Sequence, residues 1–186
     1  MYDPDSKNYR MNYKIAILLI LVVLIIRVAY SFAQKSSIQV SGMPVPDFIL
    51  KDQNGNDFKI KDYAGKQKLV IFFYPKDESP VCTKEACAFR DSYAALTDAG
   101  AMVIGINSGS VASHKDFADH YKLPYTLLSD PGNKVLKSFG VKNALFLTGR
   151  ETFIVDRTGK IIFRYRDMLQ GSGHAKKALE VLQQAQ

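Results

Sequence analysis

The stretch PKDESPVCTKEAC, residues 75–87, places two cysteines five positions apart, directly after a serine and a proline of helix-starting type. Ser79 is a favoured N-cap residue and Pro80 is favoured at the first helical position, so Cys82 is expected within the first turn of a helix. There its sulfur would sit among backbone N–H groups that have no intrahelical partner, at the positive end of the helix dipole. Both effects favour the thiolate, and the thiolate is the form that attacks electrophiles. The Ser79 hydroxyl is suited to donate to that thiolate or to a peroxide oxygen, and Pro75, which has no N–H, to close one wall of a pocket. Attack on an O–O bond leaves a sulfenic acid, which condenses with a second thiol or over-oxidises. Cys87 is the other thiol of the chain.

The spacing carries a mechanical consequence. Five helical residues rise about 7.5 Å and rotate about 500°, so the two side chains point about 140° apart. A disulfide needs Cα atoms about 4.4 to 6.8 Å apart, so joining Cys82 to Cys87 requires the first turns to unwind. That argues against a permanent structural bridge. It also argues against a metal site, because the cysteines and the three histidines, His114, His120 and His174, form no recognisable ligand set. The histidines are expected on the surface or in loops. No metal or other cofactor is implied, and two inert, buried cysteines are the alternative that spacing alone leaves open.

The elements around this stretch are those of an α/β domain. Residues 69–74, LVIFFY, form a β-prone run with no alternation, as expected of a central strand covered on both faces. A helix is expected over 80–98, ended by Gly100, followed by a second buried strand over 102–107. Before them, residues 46–50 and 57–60 flank Asn54, Gly55 and Asn56 as a hairpin. After them come a helix capped by Ser113 and running to Tyr121, another over 133–139, strands over 152–155 and 160–165 about a turn at 157–159, and a closing helix over 174–183. One domain suffices for 186 residues at 47% hydrophobic composition, since domains average about 100–200 residues.

The N-terminus reads differently. Residues 15–26 are twelve consecutive apolar residues, preceded by Lys7, Arg10 and Lys14 and followed by Arg27. The length fits the apolar region of a signal peptide, about 7–15 residues, better than a span of about 20, and residues 31–33 offer small side chains for cleavage. If Arg27 snorkels, residues 13–33 serve instead as an uncleaved membrane anchor. The expected organisation is therefore 1–35 as signal peptide or anchor, 36–41 as linker and 42–186 as the α/β domain. The cations ahead of the apolar run place that domain on the non-cytoplasmic side, exported or membrane-anchored in a periplasm-like compartment. Of the net charge of +7, the first 35 residues hold +3. The remainder is diffuse, with no basic, aromatic-interleaved groove for nucleic acid.

Taken together, the chain closely resembles the peroxiredoxins, and within them the peroxiredoxin Q type, also called bacterioferritin comigratory protein. Pro75, Ser79 and Cys82 fit the family's Pro-x-x-x-Thr/Ser-x-x-Cys signature, and CTKEACAFRD at 82–91 is similar to that subgroup's helix. The likeness continues through GIN at 105–107, HKDF at 114–117, LPY at 123–125, LLSD at 127–130 and GRETF at 149–153. It covers 41 to the C-terminus and implies a thioredoxin-like fold with an N-terminal hairpin extension, preceded here by the hydrophobic N-terminal helix. It also implies Cys82 as peroxidatic cysteine, Cys87 as resolving cysteine through an intramolecular disulfide, and Arg150 as the active-site arginine. On its own Arg150 would pass for a surface residue. A permanent cation there would stabilise both the thiolate and the charge developing on the leaving oxygen. The chain departs from the pattern at Ser79, where Thr is commoner, at Val81, where Gly is frequent, and at Gly109, where many relatives carry Asp.

The resemblance implies reduction of hydrogen peroxide and organic hydroperoxides by a monomer, recycled by a thioredoxin-like reductant, in antioxidant defence and redox homeostasis. Two rivals are a redox sensor that passes its oxidation to a partner protein and a disulfide oxidoreductase. The latter normally uses a C-x-x-C spacing, which Cys82 and Cys87 do not have.

Overall fold

The computed structural model describes residues 6–33, 36–143 and 148–184, with the side chains of 6–12 and 28–41 outside that description. The chain forms two compact units, Met1–Gln34 and Lys35–Gln186. In the first, Ser6–Ala33 is helix α1, and its described side chains, 13–27, are all exposed. The apolar run of twelve residues extends only about 18 Å at 1.5 Å per residue, against about 30 Å of hydrocarbon. Among the described residues no helix is long and apolar enough to cross a membrane, so the anchor over 13–33, one of the two alternatives read from sequence, is not supported. Lys7, Arg10, Lys35 and the cleavage-site residues 31–33 lie outside the described side chains.

The second unit is a mixed α/β domain. Its strands are β1 (Ser36–Pro44), β2 (Ile49–Asp52), β3 (Asp57–Lys59), β4 (Lys68–Phe73), β5 (Ala101–Asn107), β6 (Thr126–Ser129), β7 (Glu151–Val155) and β8 (Lys160–Arg166). Its helices are α2 (Pro80–Asp91), α3 (Tyr93–Asp98), α4 (Val111–Tyr121), α5 (Lys134–Ser138) and α6 (Ser172–Gln184). The strands form one sheet in the order β1-β8-β7-β4-β5-β6-β2-β3. β4, β5 and β6 run parallel, while β7 lies antiparallel along the other edge of β4. β4 is thus interior to the sheet, and its residues from Leu69 to Phe73 are fully buried.

Alternation along β4 divides the core. Val70, Phe72 and Tyr74 face α2, α3, α4 and α6. Leu69, Ile71 and Phe73 face α5 and the aromatic residues Phe48 and Phe58. The Phe72 ring stacks on Phe89 of α2 with centroids 4.3 Å apart. Gly105 on β5 makes this possible, because a Cβ there would stand 2.7 Å from both Phe72 and Leu127.

Three local differences from the sequence expectation have simple causes. The segment 36–41, expected as a linker, belongs to β1, which pairs antiparallel with β8 and covers that edge of the sheet. The helix expected over 80–98 is broken at Ser92, which ends α2 and starts α3. Helix α4 begins three residues earlier than expected, because Ser110 rather than Ser113 is the cap: its Oγ accepts from the Ser113 N–H at 3.2 Å.

Candidate active site

The site forms where β4 hands over to α2. After Tyr74 the chain turns through residues 75–78 into Ser79, the N-cap, and Pro80, the first helical residue, so Cys82 is the third residue of α2. The Thr83 N–H makes the first-turn bond to the Ser79 carbonyl at 2.8 Å. The sulfur is therefore held at the positive end of the helix. Cys82 is only 1% exposed, and neither cysteine is bridged.

Arg150 reaches this sulfur from the start of β7. It is 2% exposed, and its guanidinium is committed on every side: Nη2 donates to Cys82 Sγ at 3.1 Å, Nη1 to Glu85 Oε2, and Nε to the Met168 carbonyl at 3.4 Å. The backbone of the loop before α6 comes close to α2 as well, since a Cβ on Gly171 would collide with the Val81 carbonyl. Burial works against the Arg150 charge, but Glu85 and Cys82 more than offset it and hold the group above its ordinary range.

Glu85 was not among the residues singled out from sequence, yet it is fully buried one helical turn after Cys82. Burial raises its carboxyl to about 8, against the opposing pull of Arg150. A protonated Glu85 still accepts from Arg150 through one oxygen but leaves the guanidinium's charge uncancelled for the sulfur. The other oxygen, Oε1, makes no hydrogen bond and lies 3.5 Å from His174 Nδ1. His174 is held by Asp167 O, 2.9 Å from Nε2, and by Thr152 Oγ1, 2.8 Å from Nδ1.

This has a consequence for stability. The folded state holds the Glu85 proton up to about pH 8, whereas a solvated glutamate in the unfolded chain releases it near its ordinary value of 4.5. Over that interval the folded state binds more protons than the unfolded one, so the contribution is complete below the lower value and is lost as pH rises through the higher one. Glu85→Gln removes the titration. Its thermal midpoint, relative to the parent protein, is expected to rise between about pH 5 and about pH 9; a constant difference across that range would contradict the assignment.

Ser79 occupies the cap position, but its side chain makes no cap bond. Its Oγ donates instead to the Lys76 carbonyl at 3.1 Å. Pro75 lines a cavity of about 420 Å³ together with Asp77, Asn107 and Gly109. Neither Cys82 nor Arg150 contributes to its wall. Cys87 is partly buried on the same helix.

The expectation that the histidines are surface or loop residues fails for two of them: His114 and His174 are fully buried, and His120 is exposed. His114 is covered because Asp77 Oδ2 at 2.8 Å and the Leu128 carbonyl at 3.2 Å take its two ring nitrogens. Asp77 also accepts from Tyr74, Asn107 and Ser113. Burial alone would raise its carboxyl, but these donors, His114 first, hold it below the usual range. This hub fixes the loop between β4 and α2. It also explains Gly109, where a Cβ would stand 2.8 Å from Asn107 Oδ1 and 3.1 Å from Asp77 Oδ2. Among the described residues no cluster of His, Cys, Asp and Glu has the makings of a metal site.

A sulfur at a helix start, an arginine within hydrogen-bond distance and a second thiol on the same helix together suit two-electron reduction of a peroxide. Comparison with known proteins gives the same direction. Residues 41–164 match the AhpC/TSA family. The chain is 49% identical over 144 residues to a chloroplastic peroxiredoxin Q from Sedum lineare, covering 76% of this chain and 77% of that protein. It is 52% identical over 146 residues to the chloroplastic peroxiredoxin Q of Arabidopsis thaliana, covering 77% of this chain and 67% of that one. Among solved structures, the peroxidoxin BcpB of Mycobacterium tuberculosis superposes with a TM-score of 0.73 at 34% identity, over 80% of this chain and 99% of that one. A Xanthomonas campestris peroxiredoxin Q gives 0.68 at 28% identity, over 74% and 90%.

Proposed function

We propose, from the premise that this chain belongs to the AhpC/TSA family and within it to the peroxiredoxin Q group of thiol-dependent peroxidases, that Cys82 is the peroxidatic and Cys87 the resolving cysteine. The observation that carries this reading is the 3.1 Å contact from Arg150 Nη2 to Cys82 Sγ at the first turn of α2. The Cys82 thiolate attacks the terminal oxygen of a hydroperoxide; an S–O bond forms, the O–O bond breaks, and the alkoxide or hydroxide leaves and takes up a proton. Arg150 lies where it stabilises the sulfur's charge before attack and the leaving oxygen's charge after it. The Cys87 thiol then condenses with the sulfenic acid and releases water, and a dithiol of thioredoxin type reduces the resulting disulfide.

Hydrogen peroxide and small organic hydroperoxides are the substrates on this reading. Pro75 and Ser79 serve by shaping the loop that enters α2, with Ser79 donating to Lys76 at rest and free to turn toward a bound peroxide. The exposed apolar stretch of α1 supports a targeting role for 1–35 ahead of the catalytic domain, and an intact mass of the mature protein decides whether that segment is removed.

Cys87→Ser tests the resolving role. The variant is expected to consume one equivalent of peroxide, to stop, and then to gain a second oxygen at Cys82 under excess peroxide, read by intact mass. Sustained turnover in that variant with a thioredoxin system would exclude Cys87. A peroxide sensor would instead show oxidation of Cys82 with no steady-state turnover of the unaltered protein under the same conditions.

A further inference from the structure

The segment from the end of α4 to the start of β6 touches α2 at three levels. Glu78, immediately before the cap of α2, holds the α4 end of the segment: its Oε2 accepts from the Tyr121 hydroxyl at 3.0 Å and its Oε1 lies 3.1 Å from His120 Nδ1. In the last turn of α2, Arg90 Nη1 donates to the Tyr121 carbonyl at 2.9 Å. Between these, the buried Tyr125 hydroxyl donates at 2.8 Å to the carbonyl of Ala86, the residue before Cys87. Tyr125 is 4% exposed, and its ring packs edge-on against Phe72 beneath the helix.

The position of that last bond matters because the peptide between Ala86 and Cys87 is part of the stretch that must unwind. As long as α2 is intact, the two cysteines are separated by about 7.5 Å of helical rise. Reorienting that peptide strips the Tyr125 hydroxyl of its acceptor inside the core, and a buried donor left unmade opposes the motion. Glu78 adds to the tension at the other end, being a non-glycine residue at φ +59, a conformation such residues adopt only when the surroundings impose it.

We propose that residues 120–125 act as a brace across α2, with the Tyr125 hydroxyl as its latch, and that Tyr125 is a positioning residue which sets how fast the Cys82 sulfenic acid passes to Cys87. This rests on the roles proposed above for the two cysteines. The sulfenic acid has two fates. It condenses with the Cys87 thiol to give a disulfide and water, or it reduces a second hydroperoxide to the alcohol and becomes a sulfinic acid. The latch leaves the first oxidation untouched and biases the competition toward the second fate.

Tyr125→Phe keeps the ring and removes the hydroxyl. In rapid-mixing experiments the variant is expected to form the sulfenic acid at the parent rate and the Cys82–Cys87 disulfide about fivefold faster, the factor for one ordinary hydrogen bond. The peroxide concentration that converts half of Cys82 to sulfinic acid should rise by the same factor, read by intact mass. Tyr121→Phe, which removes the exposed hydroxyl that donates to Glu78, is expected to move both quantities in the same direction by less than about twofold. Unchanged disulfide formation in both variants, or slower formation in Tyr125→Phe at an unchanged first step, overturns the brace. Absence of the disulfide in the unaltered protein would instead overturn the role of Cys87, so the two failures are distinguishable.

Discussion

Cys82→Ser is expected to reduce peroxide consumption to the uncatalysed background while leaving the fold in place. The two halves of that expectation have different origins. Chemically, oxygen cannot replace sulfur in the first step, because the reaction needs a polarisable anion that forms an S–O bond and survives as a sulfenic acid, and an alcohol offers neither. Structurally, the substitution is close to isosteric, and a Ser hydroxyl at this position accepts from Arg150 as the sulfur does. The guanidinium therefore keeps a partner and the Glu85 contact persists. Peroxide disappearance in the presence of a thioredoxin system, beside a thermal unfolding curve, reads both halves. A folded variant that still turns over peroxide would sink the assignment of Cys82, and with it the role of everything arranged around it.

How far the sequence reveals this site depends on whether a residue's environment is made locally or brought from a distance. Ser79, Pro80 and Cys82 lie within one helical turn, and capping preferences were enough to place Cys82 near the start of α2. The buried strand β4 was equally legible, because a run of apolar residues without alternation has few other uses in an α/β protein. Arg150 was not legible from its own neighbourhood. It precedes a strand like many surface arginines, and what makes it functional is a contact 68 residues away in sequence. Only the resemblance of GRETF to a known family pointed to it.

Glu85 shows a signal that was present but unread. The buried residues of α2 are Cys82, Glu85, Ala86 and Phe89, the i, i+3, i+4, i+7 stripe of a helix packed on a core. A carboxylate on such a stripe must find a cation or a proton, and Glu85 has both within reach. His174 in α6 follows the same logic, sharing its buried face with Ala175, Ala178 and Leu182. Glutamate and histidine are mostly solvent-exposed as residue types, and that prevalence masks such a stripe in the sequence. The strand β1 was missed for another reason: its serine-rich composition reads as linker, and what makes it a strand is the open edge of β8, which no local pattern announces.

Arg150→Gln separates the chemistry of the site from its stability. Removing the guanidinium is expected to lower the second-order rate constant with peroxide by about 10²–10³, the range typical of losing one preorganised donor to a developing charge. The same substitution leaves Glu85 without its cation in a fully buried position, so its carboxyl is held protonated to still higher pH, and a loss of stability relative to the parent protein is expected that grows as pH rises above about 8, where the parent's carboxyl ionises beside Arg150. A fall in activity would then have two explanations. The double variant Arg150→Gln with Glu85→Gln distinguishes them, because a neutral amide at 85 no longer needs a positive partner. Its thermal midpoint should recover toward that of Glu85→Gln alone, whereas its rate with peroxide in a single turnover should remain as low as that of Arg150→Gln. Recovery of the rate together with the stability would mean that Arg150 acts by holding Glu85, and that the 3.1 Å contact to the Cys82 sulfur is incidental. Lysine is the complementary probe: an ammonium carries the charge but not the fork that reaches Sγ, Glu85 and the Met168 carbonyl at once. Arg150→Lys is therefore expected to lie closer to Arg150→Gln than to the parent protein, since the charge must be held in a fixed plane beside the sulfur and not merely be present.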